Sequence, residues 1–345
     1  MSATDQGSDG ARQPHLTLAE LAEIAETRFG LIGDITPLSS ERDQNALIAT
    51  RDEGEFVLKV ANASEGIDIL NVQNAALRIV EGEAIGSLLP RLLASRSGRP
   101  VEFVEHAGRR HATRALTKLP GIPLSQVMRS ARLRRSVGAA AAELDRAWSR
   151  LGATVQRRFP WDMTRATEAR RHVALIEARE ARELLARVFD EAESVTLPGL
   201  AALPAQWIHN DLNLNNLLVR EVGSAELTGI IDLGDMMRAP RAIEVGIAAA
   251  HQCVEEGDPL AIAAEVVDAY GAVTPLTAVE VALVPRIMAL RLAMAVTIQV
   301  AHTASAGAGH FELAAHRRFL DVISEITASG WDAAARRMAK LLRAD

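Results

Sequence analysis

Residues 208–218 read Ile208-His209-Asn210-Asp211-Leu212-Asn213-Leu214-Asn215-Asn216-Leu217-Leu218, which sets His209, Asp211 and Asn216 in a His-x-Asp-x4-Asn spacing. A phosphoryl-transfer loop uses this arrangement: the Asp accepts a proton from an attacking hydroxyl, and the Asn oxygen ligates magnesium. Gly229-Ile230-Ile231-Asp232-Leu233-Gly234-Asp235 follows and puts Asp232 at the end of a second short apolar run. Asn216 and Asp232 together make a pair of hard oxygen donors, the kind that Mg²⁺ completes with phosphate and water oxygens. Asn and Asp also suit tight loops for backbone reasons, which accounts for any one of these residues. It does not account for two short apolar strands that each end in a carboxylate.

Upstream, Phe56-Val57-Leu58-Lys59-Val60 carries a lysine in the middle of an apolar strand. On a nucleotide-binding sheet its ammonium would hold the α- and β-phosphates. A lysine on an edge strand also protects against edge-to-edge pairing, and both readings stand for Lys59 alone.

The elements that must position these groups fall into two textures. Residues 31–118 alternate in short runs: strands are expected at 35–38, 45–50 and 55–60, with Asp52-Glu53-Gly54 turning the last two into a hairpin. A helix over 70–80 follows, then a second hairpin, 101–105 with 113–117, turned at Ala107-Gly108. Leu119-Pro120-Gly121 breaks the pattern. Beyond it, apolar residues recur at helical spacing from Leu133 to Leu151. Further helices are expected over 164–189, 242–253, 260–270, 278–303, 311–327 and 331–342. Short strands are expected at 206–209, 216–220 and 226–232, and Ala304 to Gly309 reads as a flexible loop. The expected organisation is a disordered tail over 1–16, a nucleotide-binding lobe over 17–118, and a catalytic and acceptor lobe over 119–345.

Composition narrows the class. The 345 residues are 48% hydrophobic and 24% charged, enough apolar material for a sizeable core. A net charge of −6 without a long basic run excludes the footprint of a nucleic-acid binder. One cysteine, Cys253, rules out an internal disulfide and argues against a cysteine-based zinc site. The N-terminus has neither the basic nor the apolar segment of a secretory signal. The apolar stretch 281–301 is interrupted by Arg286 and Arg291, so a buried core helix is expected there and not a membrane span. A cytoplasmic protein without membrane contact is expected.

The order Lys59, His209-x-Asp211-x4-Asn216, Asp232 resembles the aminoglycoside phosphotransferase/choline kinase-like family over nearly the whole chain. Ser39-Ser40-Glu41-Arg42-Asp43-Gln44-Asn45, Gln73-Asn74-Ala75-Ala76-Leu77 and Ile231-Asp232-Leu233-Gly234-Asp235-Met236 most resemble its hydroxylysine kinase branch. The resemblance implies an α+β, two-lobed, protein-kinase-like fold with a small antiparallel-sheet N-lobe and a larger helical C-lobe. It implies Asp211 as catalytic base, Asn216 and Asp232 as Mg²⁺ ligands, and Lys59 on the phosphates of ATP or GTP. His209 would brace the loop, with Asp235 as a second acidic residue of the metal loop. Residues 117–119, with Thr117 and Leu119 at their ends, would meet the purine. The implied reaction moves the γ-phosphoryl to the hydroxyl of a small amine or amino acid, 5-hydroxylysine first. Homoserine, choline, ethanolamine or an aminoglycoside are alternatives, as is a non-catalytic pseudokinase.

Two departures from that pattern stand out. The 39–44 turn has no glycine, so backbone amides and the Ser39 and Ser40 hydroxyls would have to cover the phosphates. The helical position expected to offer Lys59 a glutamate holds Gln73, which is either a neutral partner or a solvent-facing residue; Glu65 or Glu81 are substitutes from nearby. For a cationic acceptor, three acidic features are candidates. Trp161-Asp162 suits an ammonium, although Asp162 also fits a helix N-cap. Glu244 either faces substrate or anchors a loop. The run Glu255-Glu256-Gly257-Asp258 is either an attracting patch or a solvated helix end.

Overall fold

The alternating runs of the first third become an antiparallel sheet. It comprises β1 (Gly33–Leu38), β2 (Gln44–Thr50), β3 (Glu55–Val60), β4 (Leu92–Leu93), β5 (Glu102–His106) and β6 (Arg109–Thr117). Strand order is β1-β2-β3-β6-β4, with β5 also on β6. The computed structural model describes residues 13–40, 42–254, 257–305 and 313–343. The chain divides into two compact units, residues 1–120 and 121–345.

In the first unit, Gly54 at φ 96° closes the β2–β3 turn, a backbone region that glycine enters without steric cost. Opposed residues of an antiparallel pair share a face. Ala46, Leu58 and Ala115 are in register and pack with Leu21, Ile24 and Phe29, which follow from α1 (Leu18–Ile24) and its continuation. Asn45, Lys59 and Arg114 are likewise in register and stand on the opposite face. There α2 (Ile67–Ile79) contributes Leu70 to a second cluster with Ala61, Val101 and Ala112. The expected disordered tail ends earlier than residue 16. Gln13 Nε2 donates to the Asp43 carbonyl at 2.6 Å, the Leu16 amide donates to Gln44 Oε1 at 2.8 Å, and Leu16 is buried. Residues 1–12 of that tail lie outside the described residues.

The second unit is mainly helical: α3 (Ala131–Trp148), α4 (Thr167–Arg170), α5 (Arg179–Glu191), α6 (Leu197–Ala201), α7 (Arg241–Gln252), α8 (Pro259–Val273), α9 (Ala278–Ser305), α10 (Arg317–Thr327) and α11 (Trp331–Leu341). Two small sheets are set among them. One joins β10 (Gly229–Ile230), β9 (Leu217–Val219) and β7 (Ile122–Pro123); the other joins β8 (Ala205–Ile208) and β11 (Met237–Pro240). The single helix expected over 164–189 is broken. A short turn at Met163–Arg165, α4 and a second turn at Arg171–Leu175 precede an extended Ile176, and α5 starts only at Arg179. Burial of Val173 and Ile176 bends the chain where the helical period alone would continue it. The expected strand 226–232 shrinks to Gly229–Ile230, because Asp232 turns into the left-handed region. Ala304 and Ser305 of the expected flexible loop belong to α9, and the rest of that loop lies outside the described residues. Residues 311–312 of the expected 311–327 helix also lie outside them. By length and composition α9 is apolar enough to cross a membrane, and most of it is buried within the protein.

Gly138 of α3 faces α8 so closely that a Cβ there would lie 2.1 Å from the Val266 carbonyl oxygen. Backbone cannot yield as a flexible side chain does. Gly138→Ala is therefore expected to destabilise the protein by about 3 kcal/mol, the upper part of the overpacking range. A thermal melt should show Tm lowered by ~6–12 °C. An unchanged Tm would mean that the two helices part without loss.

Candidate active site

The loop after β8 is held by its own unusual backbone. Ile208 is in register with Met237 of β11, and the Ile231 amide donates to the Asn216 carbonyl at 2.9 Å, so both ends of the loop are tied to strands. Asn210 (φ 64°) and Asp232 (φ 61°) are left-handed, a conformation that Asn and Asp tolerate better than most residues. Such positions cost about 1–3 kcal/mol each and persist where the surroundings over-determine them.

Here the over-determination comes from Glu244 and His209. Glu244 is fully buried in the first turn of α7, and its two oxygens accept from the His209 and Asn210 amides at 2.8 Å each. Burial pushes its carboxyl above the usual range, while His209 and those two amides pull it back. The His209 ring stacks on Trp148 with centroids 6.3 Å apart. Its Nε2 donates to the Ile231 carbonyl at 3.1 Å, and its Nδ1 accepts from the Asp211 amide at 3.3 Å. His209 thus links the Asp211 loop to the Asp232 loop from beneath.

Asp211 is fixed at both oxygens. Oδ2 accepts from Asn213 Nδ2 at 2.9 Å and Asn216 Nδ2 at 2.7 Å; Oδ1 accepts from Arg291 Nη2 at 2.5 Å. Its side chain retains 18% exposure, against 4% for Arg291. Burial pushes the Asp211 carboxyl up to about 7, with Arg291 opposing the rise and Asp235 adding to it. A carboxyl poised near neutrality is suited to general-base work. The Arg291 guanidinium carbon lies 4.5 Å from the centroid of the Trp161 ring, and Asn210 Nδ2 donates to the Trp161 carbonyl at 3.3 Å.

The residues that would hold a metal fit that task. Asn216 uses its nitrogen on Asp211, which leaves its oxygen as a donor atom. Asp232 is exposed, and its Oδ1 accepts from the Gly234 amide at 3.1 Å. Asp235 is buried beside them. Among the described residues no three His, Cys, Asp or Glu side chains group closely enough to hold an ion by themselves.

In the first unit, Gln73 is buried rather than solvent-facing. Its Oε1 accepts from Arg114 Nη2 at 2.7 Å, and the neighbouring Asn74 Oδ1 accepts from Arg114 Nη1 at 2.8 Å. The carboxamide expected to face Lys59 is thus engaged by the cross-strand neighbour of Lys59. The Thr117 amide donates to the Arg91 carbonyl and the Lys118 amide to the Glu55 carbonyl, both at 2.9 Å, so a purine contact through a backbone amide would fall to Leu119. Ser39 is exposed and Ser40 half-buried after β1; Glu41 lies outside the described residues.

Of the three acidic candidates with two readings, the described residues take the capping or anchoring one. Asp162 is an N-cap: its Oδ1 accepts from the Thr164 amide at 3.0 Å and the Thr164 hydroxyl at 2.6 Å. Glu244 anchors the loop and has no exposed surface. Asp258 caps α8 and pairs with Arg337, while Glu255 and Glu256 lie outside the described residues. Sequence reasoning missed Arg291 and Arg114. For Arg291 the signal was present as a charge inside an apolar stretch, but it was read only as an argument against a membrane span.

A family described as "Phosphotransferase enzyme family" matches residues 34–279. The hydroxylysine kinase of Danio rerio is 26% identical over 280 residues, covering 78% of this chain and 79% of that one. Among solved structures, an amicoumacin kinase in complex with AMP-PNP, Ca²⁺ and Ami superposes with a TM-score of 0.68 at 15% identity, covering 90% of this chain and 94% of that one. A microcompartment-associated aminopropanol kinase gives 0.63 at 19% identity, covering 94% and 98%. At these identities the structural likeness is one of fold, the two-lobed kinase-like α+β fold.

Proposed function

We propose, from the premise that this chain belongs to the phosphotransferase enzyme family, that it transfers the γ-phosphoryl of ATP or GTP to the hydroxyl of 5-hydroxylysine. Membership makes it a small-molecule phosphotransferase with an alcohol acceptor. The hydroxylysine assignment draws on relatives that bear that name and align over most of the chain. The observation that carries the chemistry is the Asp211 carboxylate, held by Asn213, Asn216 and Arg291 yet still reachable from solvent.

In the proposed reaction the acceptor hydroxyl gives its proton to Asp211 as its oxygen bonds to the γ-phosphorus. The bond from that phosphorus to the β-bridging oxygen breaks, and the nucleoside diphosphate leaves. Asn216 and Asp232 would hold Mg²⁺, which when bound supplies positive charge to the phosphates. Lys59 is assigned to the phosphates, with Ser39 and Ser40 covering them and Leu119 meeting the purine. Asp235 and His209 support the two loops. Positioning and electrostatics carry most of the rate gain, because such transition states are loose.

A nucleotide-consumption screen with Mg²⁺ tests this, using ATP and GTP against 5-hydroxylysine, homoserine, choline, ethanolamine and aminoglycosides. The highest kcat/KM is expected for 5-hydroxylysine; a higher value for an aminoglycoside or choline overturns the assignment. Asp232→Ala should raise the Mg²⁺ concentration needed for nucleotide binding by ~10-fold or more, since so few protein ligands share that ion. An unchanged Mg²⁺ dependence would place the ion elsewhere.

A further inference from the structure

Helix α9 buries two arginines, and they are treated differently. Every nitrogen of Arg286 has a partner: Nε donates to Glu191 at 2.7 Å, Nη2 to Asp332 at 2.6 Å, and Nη1 to the Ala282 and Trp331 carbonyls. It clamps α9 to its neighbours. Arg291 is 3% exposed and makes one hydrogen bond, from Nη2 to Asp211. Its Nε and Nη1 are buried without any partner. A guanidinium carries its donors in its plane. The guanidinium carbon lies over the Trp161 ring, which has no acceptor oxygen to offer those donors. Two guanidinium nitrogens, with three N–H bonds between them, therefore stand unanswered beside the residue that receives the acceptor's proton. Unmade hydrogen bonds of this kind cost about 1–3 kcal/mol each, more for charged groups.

A second polar atom in the same cluster is also unanswered. Asn210 adjoins Asp211 and donates through Nδ2 to the Trp161 carbonyl, yet its Oδ1 is buried with no partner. Around Trp161 the surroundings thus offer cationic donors at its ring and a neutral acceptor on the side chain bonded to its carbonyl. An amine alone would satisfy only the acceptor. A group with a carboxylate and an ammonium on one carbon satisfies both.

Building on the proposed phosphoryl transfer, we infer that Arg291 binds the carboxylate of the acceptor, with Asn210 Oδ1 receiving its α-ammonium, so that the site selects hydroxy amino acids over plain amino alcohols. Arg–carboxylate pairs are among the strongest charge-assisted contacts, and a guanidinium fits them better than an ammonium does.

Matched pairs differing only by the carboxylate test this: 5-hydroxylysine against 1,5-diaminopentan-2-ol, homoserine against 3-aminopropan-1-ol, and threonine against 1-aminopropan-2-ol. For wild-type enzyme, kcat/KM is expected to favour the acid by ~10²-fold or more in whichever pair is turned over, because the decarboxylated partner leaves buried donors unpaired. Arg291→Met should collapse that ratio towards one, whatever it does to absolute rate, and Arg291→Lys should retain part of it. The wild-type ratio stands as a test even where the variants do not fold. Equal or better turnover of the amines, or turnover of none of the acids, overturns the inference. Rejection of 5-hydroxylysine with acid-selective turnover of homoserine or threonine would remove the proposed substrate and leave the role of Arg291 intact.

Discussion

Asp211→Asn is expected to lower kcat by about 10³-fold, within the 10²–10⁴ that a positioned acid or base contributes, while nucleotide affinity changes less than ~2-fold. The carboxamide is nearly isosteric but turns an NH₂ towards Arg291 or towards the two asparagine donors, so some stability is lost, while the backbone anchors of the loop, Glu244 and His209, stay in place. What is lost is an oxygen basic enough to take the hydroxyl proton. The pH profile separates this loss from a general disturbance. With the Asp211 carboxyl pushed up to about 7, free wild-type enzyme should lose kcat/KM as pH falls below that value, because the protonated carboxyl has no vacancy for a proton. The Asn variant should retain only a low rate without that acidic limb. Near-wild-type turnover in the variant would remove Asp211 from the reaction.

Glu244→Ala should act on stability and rate together. It strips the acceptors from two buried amides at once, for a loss of about 4 kcal/mol, taking about 2 for each unsatisfied donor. It also frees the backbone leading into left-handed Asn210, and a displacement of about 1 Å at the reacting oxygen is enough for ~10² in kcat. Glu244→Gln keeps one acceptor oxygen and turns an NH₂ towards the other amide, so roughly half the stability loss is expected. Melting curves and initial rates on the two variants check this. If rate fell while Tm held, Glu244 would be acting on substrate and not on the loop.

Much of the scaffold is written in local pattern. The Asp52-Glu53-Gly54 turn, the 55–60 strand and the long helices emerge from periods of two and 3.6 and from turn residues, all within reach of a short window of sequence. The 164–189 region was misread for the same reason: a helical period persists through Val173 and Ile176, and only burial against distant chain bends it. The polar pairings were illegible because they join residues far apart in sequence. Arg291 reaches back 80 positions to Asp211, and Arg114 reaches back 41 to Gln73. Asp162 and Glu244 had two open readings apiece. The structure decides each by naming the donors: the Thr164 amide and hydroxyl for one, the His209 and Asn210 amides for the other.

The fork between Arg114 and the two carboxamides of α2 has a bearing on control. Where a helix is held to a sheet through a glutamate, its grip can be loosened by protonation, by salt, or by a competing cation. Gln73 and Asn74 carry no charge to titrate, so neither acceptor is lost by protonation. Neutral acceptors also offer a rival lysine or arginine little reason to intrude. In these two bonds the helix is therefore fastened to the sheet by neutral acceptors, with the charge on the arginine alone.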